Sequence, residues 1–384
     1  MTVPAAVGYD GKTGSAERLI TIFKYFRRLD NGIIFVFNAS GPIARYFQKN
    51  GVVAQYNILP TKLKFSSYIG LCLKTIFLMA KAFFVFTVPR ARTGNEKVVV
   101  YASSDLFWEV IPAFISKTRN KEIEWVQIIH HIYPDWKKRP GNKIIGFLGY
   151  YLQRLSFWLI RKKADKIILM NNLIRNELLS KGFLGQKMRV SSNGLNLDYL
   201  NSLQPSNLAY DGVFLGRMNA SKGVEDLLPI WKKVCEKIPG AKLALIGGAE
   251  KKTKTNFIQK IKAAGMEKNI EVLGFLEDDK TFSILKASKI FLFPSHEEGW
   301  GIAIAEACGC GLPVVSWDLP VYQEIFADYT FQIKENNTDA FAEQIIKLLF
   351  DDSYQREVGS KGREFIKKCS WAEVARRELE IIKA

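Results

Sequence analysis

The chain has 384 residues, 48% of them apolar, and a formal net charge of +17. Two domains are expected at that length, and the apolar content with only 28 Gly and 13 Pro excludes a disordered or fibrous chain. Five scattered cysteines do not form a disulfide framework and point to a reducing compartment, and MTVPAAVGYDGK lacks the basic and apolar stretches of a secretory signal.

Short β-branched runs alternate with longer amphipathic ones, the pattern of parallel sheets with helices on both faces. No first strand is evident in the weakly apolar N-terminal stretch. Gly11-Lys12-Thr13 fails as a phosphate loop because Ala6 stands where a glycine is needed. Strands are expected at Ile33–Phe37, Lys97–Tyr101, Ile123–Ile129, Lys166–Leu169 and Met188–Ser191. Helices fall at 15–29, 41–50, 66–87, 105–118, 143–163 and 172–181.

The positive charge is concentrated. Residues 61–92 hold six Lys or Arg and residues 137–163 hold eight, with no acid in either stretch. In 65–88, Lys74 and Lys81 share a helical face within an otherwise apolar run too short to span a bilayer. In 143–163, Lys143, Arg154 and Arg161 form a stripe beside Ile144, Phe147, Leu148, Tyr151, Leu155, Phe157, Trp158 and Leu159. A basic stripe beside an aromatic face fits a helix lying on an anionic membrane surface; the other reading is a pair of core helices. Nucleic acid is not an expected partner, because no nucleic-acid module is present and the charges sit among large apolar residues.

Asn201–Asp211 is the least structured segment and is taken as a linker. Beyond it, strands are expected at 211–215, 242–247, 270–273, 289–293, 313–316 and 329–332. Helices fall at 222–238, 253–265, 278–287, 301–310, 320–327 and 337–350, with a helical tail over 354–384 broken near Cys369-Ser370. Cys308 and Cys310 point about 200° apart on a helix, which argues against a shared metal.

The run FPSHEEGWGIAIAEACGCGLPVV carries the strongest chemistry. Glu298 lies in a loop after a strand, and Glu306 stands inside the helix that Gly299, Gly301 and Ile302 open. Glycines let a ligand approach the unpaired N–H groups of a helix start, which favour phosphate. Carboxylates flanking that point can accept hydrogen bonds from sugar hydroxyls on both sides of a diphosphate, as a nucleotide sugar requires. Upstream, Gly216-Arg217-Met218-Asn219-Ala220-Ser221-Lys222-Gly223 follows a strand; Arg supplies a planar donor fork and Lys a point charge for a leaving diphosphate. Strands also end in glycines at LALIGG, with Gly247, and at VLGFL, with Phe275.

The two glutamates resemble the E-x7-E signature of retaining glycosyltransferases of family four, and Gly216–Gly223 resembles their G-R-x-x-x-x-K-G motif. The resemblance covers most of the chain, most specifically 190–330. It implies the α/β GT-B fold, two Rossmann-like doubly wound domains facing a central cleft. The expected divisions are 1–200 for the acceptor, a linker at 201–211, 212–368 for the nucleotide sugar, and 369–384 as a helix crossing back to the first domain.

Residue by residue, the resemblance implies that Arg217 and Lys222 grip the diphosphate, Glu298 the transferred sugar and Glu306 the ribose. The loops of Gly247 and Phe275 would line the nucleobase pocket. Gly14-Ser15-Ala16-Glu17-Arg18 resembles a G-G-x-E-R turn, so Gly14 would line the donor and acceptor site, with Ser15 replacing one glycine. His130, with His131 as the alternative, would stand near the reacting sugar; the competing reading is a structural histidine bonded to a backbone carbonyl. His296 receives no role. No D-x-D occurs, so cations replace a metal clamp and neither a metal ion nor another cofactor is expected. The donor is a UDP- or GDP-sugar, and the acceptor a lipid-linked or glycan substrate at the cytoplasmic face of a membrane. Alternatives are a sugar-nucleotide epimerase or another GT-B enzyme, and a non-catalytic membrane-bound subunit.

Overall fold

The computed structural model describes residues 2–6, 14–30, 32–59, 97–139 and 142–384. The expected helix at 66–87, with Lys74 and Lys81, and Gly11-Lys12-Thr13 lie outside the described residues. The chain divides into two compact units. One comprises Met1–Lys137, Ile144–Gly194 and Trp371–Ala384; the other comprises Lys138–Lys143 and Leu195–Ser370.

The first unit is built on β1 (Thr2–Ala6), β2 (Val36–Ser40), β3 (Gln55–Leu59), β4 (Val99–Ala102), β5 (Glu124–Ile129), β6 (Lys166–Leu169) and β7 (Met188–Val190). Their order is β3-β2-β1-β4-β5-β6-β7, and every pairing among them is parallel. The strand that could not be read from the sequence is therefore present and central: β1 pairs with both β2 and β4. Its weak signal has a backbone cause. The pairing with β2 shifts register between Val3 and Ala6, and Pro4, which has no N–H to donate, stands at that irregularity. The edge strand β3 was also not anticipated.

The second unit contains β8 (Gly212–Leu215), β9 (Leu243–Ile246), β10 (Ile270–Gly274), β11 (Ile290–Phe293), β12 (Val314–Trp317) and β13 (Phe331–Ile333). The order β10-β9-β8-β11-β12-β13, again all parallel, is the doubly wound arrangement in which the chain starts in the middle and winds outwards in both directions. β9, β11 and β12 are buried at every residue, as parallel strands covered on both faces must be.

Residues 201–211 do not separate the units: they cluster with the second one. Beyond the helix Leu197–Ser202 this polar stretch has no regular element, yet its backbone is tied down. Ser206 N donates to Ser283 O at 2.9 Å, Lys289 N donates to Tyr210 O at 3.0 Å, and the Tyr210 hydroxyl donates to Glu271 at 2.7 Å. The chain leaves the first unit after Gly194 instead. A Cβ there would lie 2.6 Å from Trp371 N, so only glycine fits beside the returning chain.

The C-terminal helix Trp371–Lys383 belongs to the first unit and packs on the helix Gly14–Leu29. A buried polar cluster joins them. Arg18 is ion-paired to Glu378, its Nε donates to Asn193 Oδ1 at 3.0 Å, and the Tyr101 hydroxyl donates to Glu378 Oε2 at 3.0 Å. Burial opposes the Arg18 charge, but Glu378 and Tyr101 outweigh it and hold the guanidinium above its ordinary pKa.

Candidate functional site

In a doubly wound sheet, ligands bind beyond the strand C-termini where the winding direction reverses. In the second unit that point lies between β8 and β11, which pair directly. The loops leaving these two strands carry Arg217, Lys222, Glu297 and Glu298.

The first loop is shaped by a cap. Asn219 Oδ1 accepts Lys222 N at 3.1 Å and Ser221 Oγ at 3.0 Å, closing the short 3-10 turn Ala220–Lys222. Gly223 ends the turn at φ 65°, and a Cβ there would lie 1.7 Å from Pro294 O. Glycine is thus required both for its left-handed backbone and for the approach of the second loop. Fully buried Ser295 donates to Ser221 O at 3.1 Å, and His296 N donates to the same carbonyl at 2.9 Å.

That contact sets Lys222 against the glutamate loop. Its ammonium is ion-paired with Glu298, both side chains less than one-fifth exposed, and reaches Glu297 O at 3.4 Å. Glu297 itself is held by Arg139, whose Nε and Nη2 donate at 2.6 and 2.9 Å. The sequence reading missed this pair, because Arg139 lies 158 positions away. Arg217 is exposed and, among the described residues, has neither an ion pair nor a side-chain hydrogen bond.

The remaining residues of this unit surround the same strand ends. Gly216 N donates to Ile246 O at 3.0 Å, and a Cβ on Gly247, at φ 142°, would lie 1.8 Å from Gly216 O. Gly247 N donates to Gly274 O at 2.7 Å, and Phe275 beyond it is 60% exposed. Gly299 precedes buried Trp300, and Gly301 at φ 103° precedes the helix Ile302–Gly309, whose first N–H groups have no side-chain cap. Glu306 sits in the second turn of that helix and is half-buried.

His130, His131 and Gly14 lie in the first unit. Gly14 opens its first helix. His130 Nε2 donates to Ser103 O at 2.8 Å, the contact expected of a structural histidine, which leaves Nδ1 as the acceptor nitrogen. Burial, reinforced by the Arg18 charge, lowers its pKa to about 3, so the ring is neutral. Ser103 Oγ, Ser104 N and Ser104 Oγ all donate to Glu109, which burial still raises to about 7. His131 packs edge-on against Tyr133, with ring centroids 4.7 Å apart. Arg18, from the turn expected near the ligand, is committed to Glu378 and Asn193.

Residues 209–365 match the family model of glycosyl transferases group 1. An uncharacterized glycosyltransferase of Methanocaldococcus jannaschii is 29% identical over 221 residues, 57% of this chain and 59% of that protein. O-antigen chain mannosyltransferase B of Escherichia coli is 27% identical over 171 residues, 44% and 45% of the two chains. Phosphatidyl-myo-inositol mannosyltransferase of Mycobacterium leprae is 25% identical over 198 residues, 49% and 51%. The chain thus spans about half the length of these curated relatives. Among solved structures, sucrose-phosphate synthase from Thermosynechococcus elongatus superposes with a TM-score of 0.76 at 15% identity, covering 100% of this chain and 98% of that one. Anabaena HepE in complex with UDP and glucose superposes at 0.75 and 15%, covering 100% and 99%. The fold is GT-B.

Proposed function

We propose, from the match of residues 209–365 to the family model of glycosyl transferases group 1, that the chain moves a sugar from a UDP- or GDP-linked donor to an acceptor with retention of anomeric configuration. The observation that carries this reading is the Lys222–Glu298 ion pair at the β8–β11 reversal, with Arg217, exposed and unpartnered among the described residues, on the loop after β8. As the bond from the sugar C1 to the phosphate oxygen breaks, negative charge grows on the diphosphate, and fixed cations stabilise it most where water is excluded. Arg217 and Lys222 supply those cations, with the N–H groups after Gly301 adding to the field. Glu298 holds the transferred sugar and Glu306 the ribose. Gly216, Gly247, Phe275, Gly299 and Ile302 shape the donor pocket. The acceptor oxygen bonds to C1, and its proton passes to the leaving phosphate oxygen. Neutral His130, with Nδ1 accepting, assists at the reacting centre; Gly14 opens the acceptor side.

Because side-chain cations neutralise the leaving group, the reaction requires no divalent ion. A screen of nucleotide sugars against the purified protein, read by mass with and without EDTA, tests this. Transfer unchanged by chelation is expected; no turnover of any UDP- or GDP-sugar, or turnover only with added Mn²⁺, would overturn it.

The acceptor is proposed to be lipid-linked or a glycan, in polysaccharide, glycolipid or glycoprotein-glycan assembly. The helix Lys143–Lys163 supports a membrane partner. Its Ile144, Phe147, Leu148, Tyr151, Leu155 and Trp158 are exposed along one stripe, whereas Phe157 and Leu159 turn inward to the core. Arg154 lies over the Tyr150 ring at 4.0 Å and Lys162 over Trp158 at 3.8 Å, so cations flank the apolar surface. No helix among the described residues is long and apolar enough to cross a membrane. The protein is therefore proposed to lie on the cytoplasmic face by this stripe. Each nearby cation contributes about 1 kcal/mol on an anionic surface. Replacing Arg154 and Arg161 by Gln should weaken binding to phosphatidylglycerol vesicles ~30-fold, and high salt should do the same. Equal pelleting of variant and parent would refute the interfacial docking.

A further inference from the structure

His296 stands between Ser295 and the Glu297-Glu298 pair, and its ring is held at both ends. Nε2 lies 3.0 Å from Asp226 Oδ2, and Nδ1 lies 2.5 Å from Glu335 Oε1. A carboxylate only accepts, so both ring nitrogens must donate, and only the imidazolium has two N–H groups. Asp226 is held at its carboxylate and Glu335 at its backbone by other elements. The Trp317 indole donates to Asp226 Oδ2 at 3.1 Å, and Glu335 N donates to Asp318 Oδ1 at 2.8 Å. The ring therefore ties the glutamate loop to the residue that precedes the helix Leu227–Lys237 and to the segment after β13.

We infer that His296 is a positioning residue for the diphosphate site, an imidazolium pin that holds Glu298 against Lys222. The inference rests on the nucleotide-sugar reading above. Loss of the ring proton turns one nitrogen into an acceptor facing a carboxylate, which breaks one tie and replaces it with repulsion. Charged groups on the adjoining segments include Glu297 and Glu298 on its own loop, paired with Arg139 and Lys222, and Asp318, which accepts Glu335 N. The hydrogen bond to Asp226, opposed by burial and joined by Glu335, raises the pKa of His296 above its ordinary value. The sign follows: the pin is complete below about pH 6.5 and is lost as pH rises through the raised folded value.

The test is calorimetric titration with UDP and with GDP across neutral to alkaline pH, on the whole protein and on His296→Gln and Glu335→Gln. For the parent, affinity should fall ~10-fold across one alkaline transition, the order expected from losing a charge-assisted hydrogen bond. His296→Gln, with a single amide donor group and no proton to lose, should bind weakly at every pH without that transition. Glu335→Gln alters a surface-accessible side chain and removes one of the two groups that hold the proton, so the transition should move to lower pH. A residue that merely fills space would not move it. The inference is overturned if His296→Gln keeps the parent's pH profile or if Glu335→Gln leaves the transition where it was. If the parent binds neither nucleotide at any pH, the proposed function fails first and this inference with it.

Discussion

Lys222→Met and Glu298→Gln should each lower sugar transfer about 10²–10³-fold while the protein stays folded. The magnitude is that of removing one preorganised electrostatic contact to a developing anion. Without ligand, Lys222 and Glu298 neutralise one another where the turn capped by Asn219 meets the glutamate loop anchored by Ser295. With a donor bound as proposed, the same ammonium would face a diphosphate whose charge grows as the glycosidic bond breaks. Lys222→Met should therefore act mainly on kcat, since its contact strengthens in the transition state, whereas Glu298→Gln should affect both kcat and donor KM. Steady-state kinetics, with circular dichroism to verify folding, decide the matter. Full activity in either variant removes these residues from the site.

The second large effect concerns stability. Arg18→Met should destabilise the first unit by about 3–5 kcal/mol, because it strands the Glu378 carboxylate in a site with no exposure. Glu378→Met alone should cost a similar amount by stranding the guanidinium. The double variant should recover much of the loss, since apolar side chains of similar volume replace a buried ion pair at little net cost. Hydrogen exchange in the helix Trp371–Lys383 reads the effect directly, without assuming that a two-unit chain unfolds in one step. Two single-variant losses that simply add in the double variant would show that the pair is not coupled.

What was legible in the sequence follows from what each residue has to do locally. β9, β11 and β12 stood out as apolar runs because both faces are covered. The helix Lys143–Lys163 was read with its observed ends, since Gly141-Asn142 before it and Ala164-Asp165 after it break the pattern. β1 was not legible: it is defined by neighbours on both sides, and Pro4 hides the alternation. Arg18 shows the limit most clearly. Its motif drew it toward the ligand, but its partner lies 360 residues further on, and no local pattern reports that distance. Lys222 and Glu298 were singled out by their motifs; their pairing depends on Gly223 admitting Pro294 O, which is a property of two backbones. The His296 clamp draws Asp226 and Glu335 from separate segments, so nothing near the histidine announces it.

The return of Trp371–Ala384 to the first unit has a consequence for biosynthesis. The helix Gly14–Leu29 leaves the ribosome before the second unit is made, yet Glu378, whose carboxylate satisfies Arg18, is made 360 residues after it. The whole of Leu195–Ser370 is translated in between, an interval of about 10–35 s at roughly 5–20 residues per second. Through that interval Arg18 lacks its partner, while the strands β8–β13 of the second unit are being made. The second unit is therefore positioned to mature before the first, which waits for the helix Trp371–Lys383.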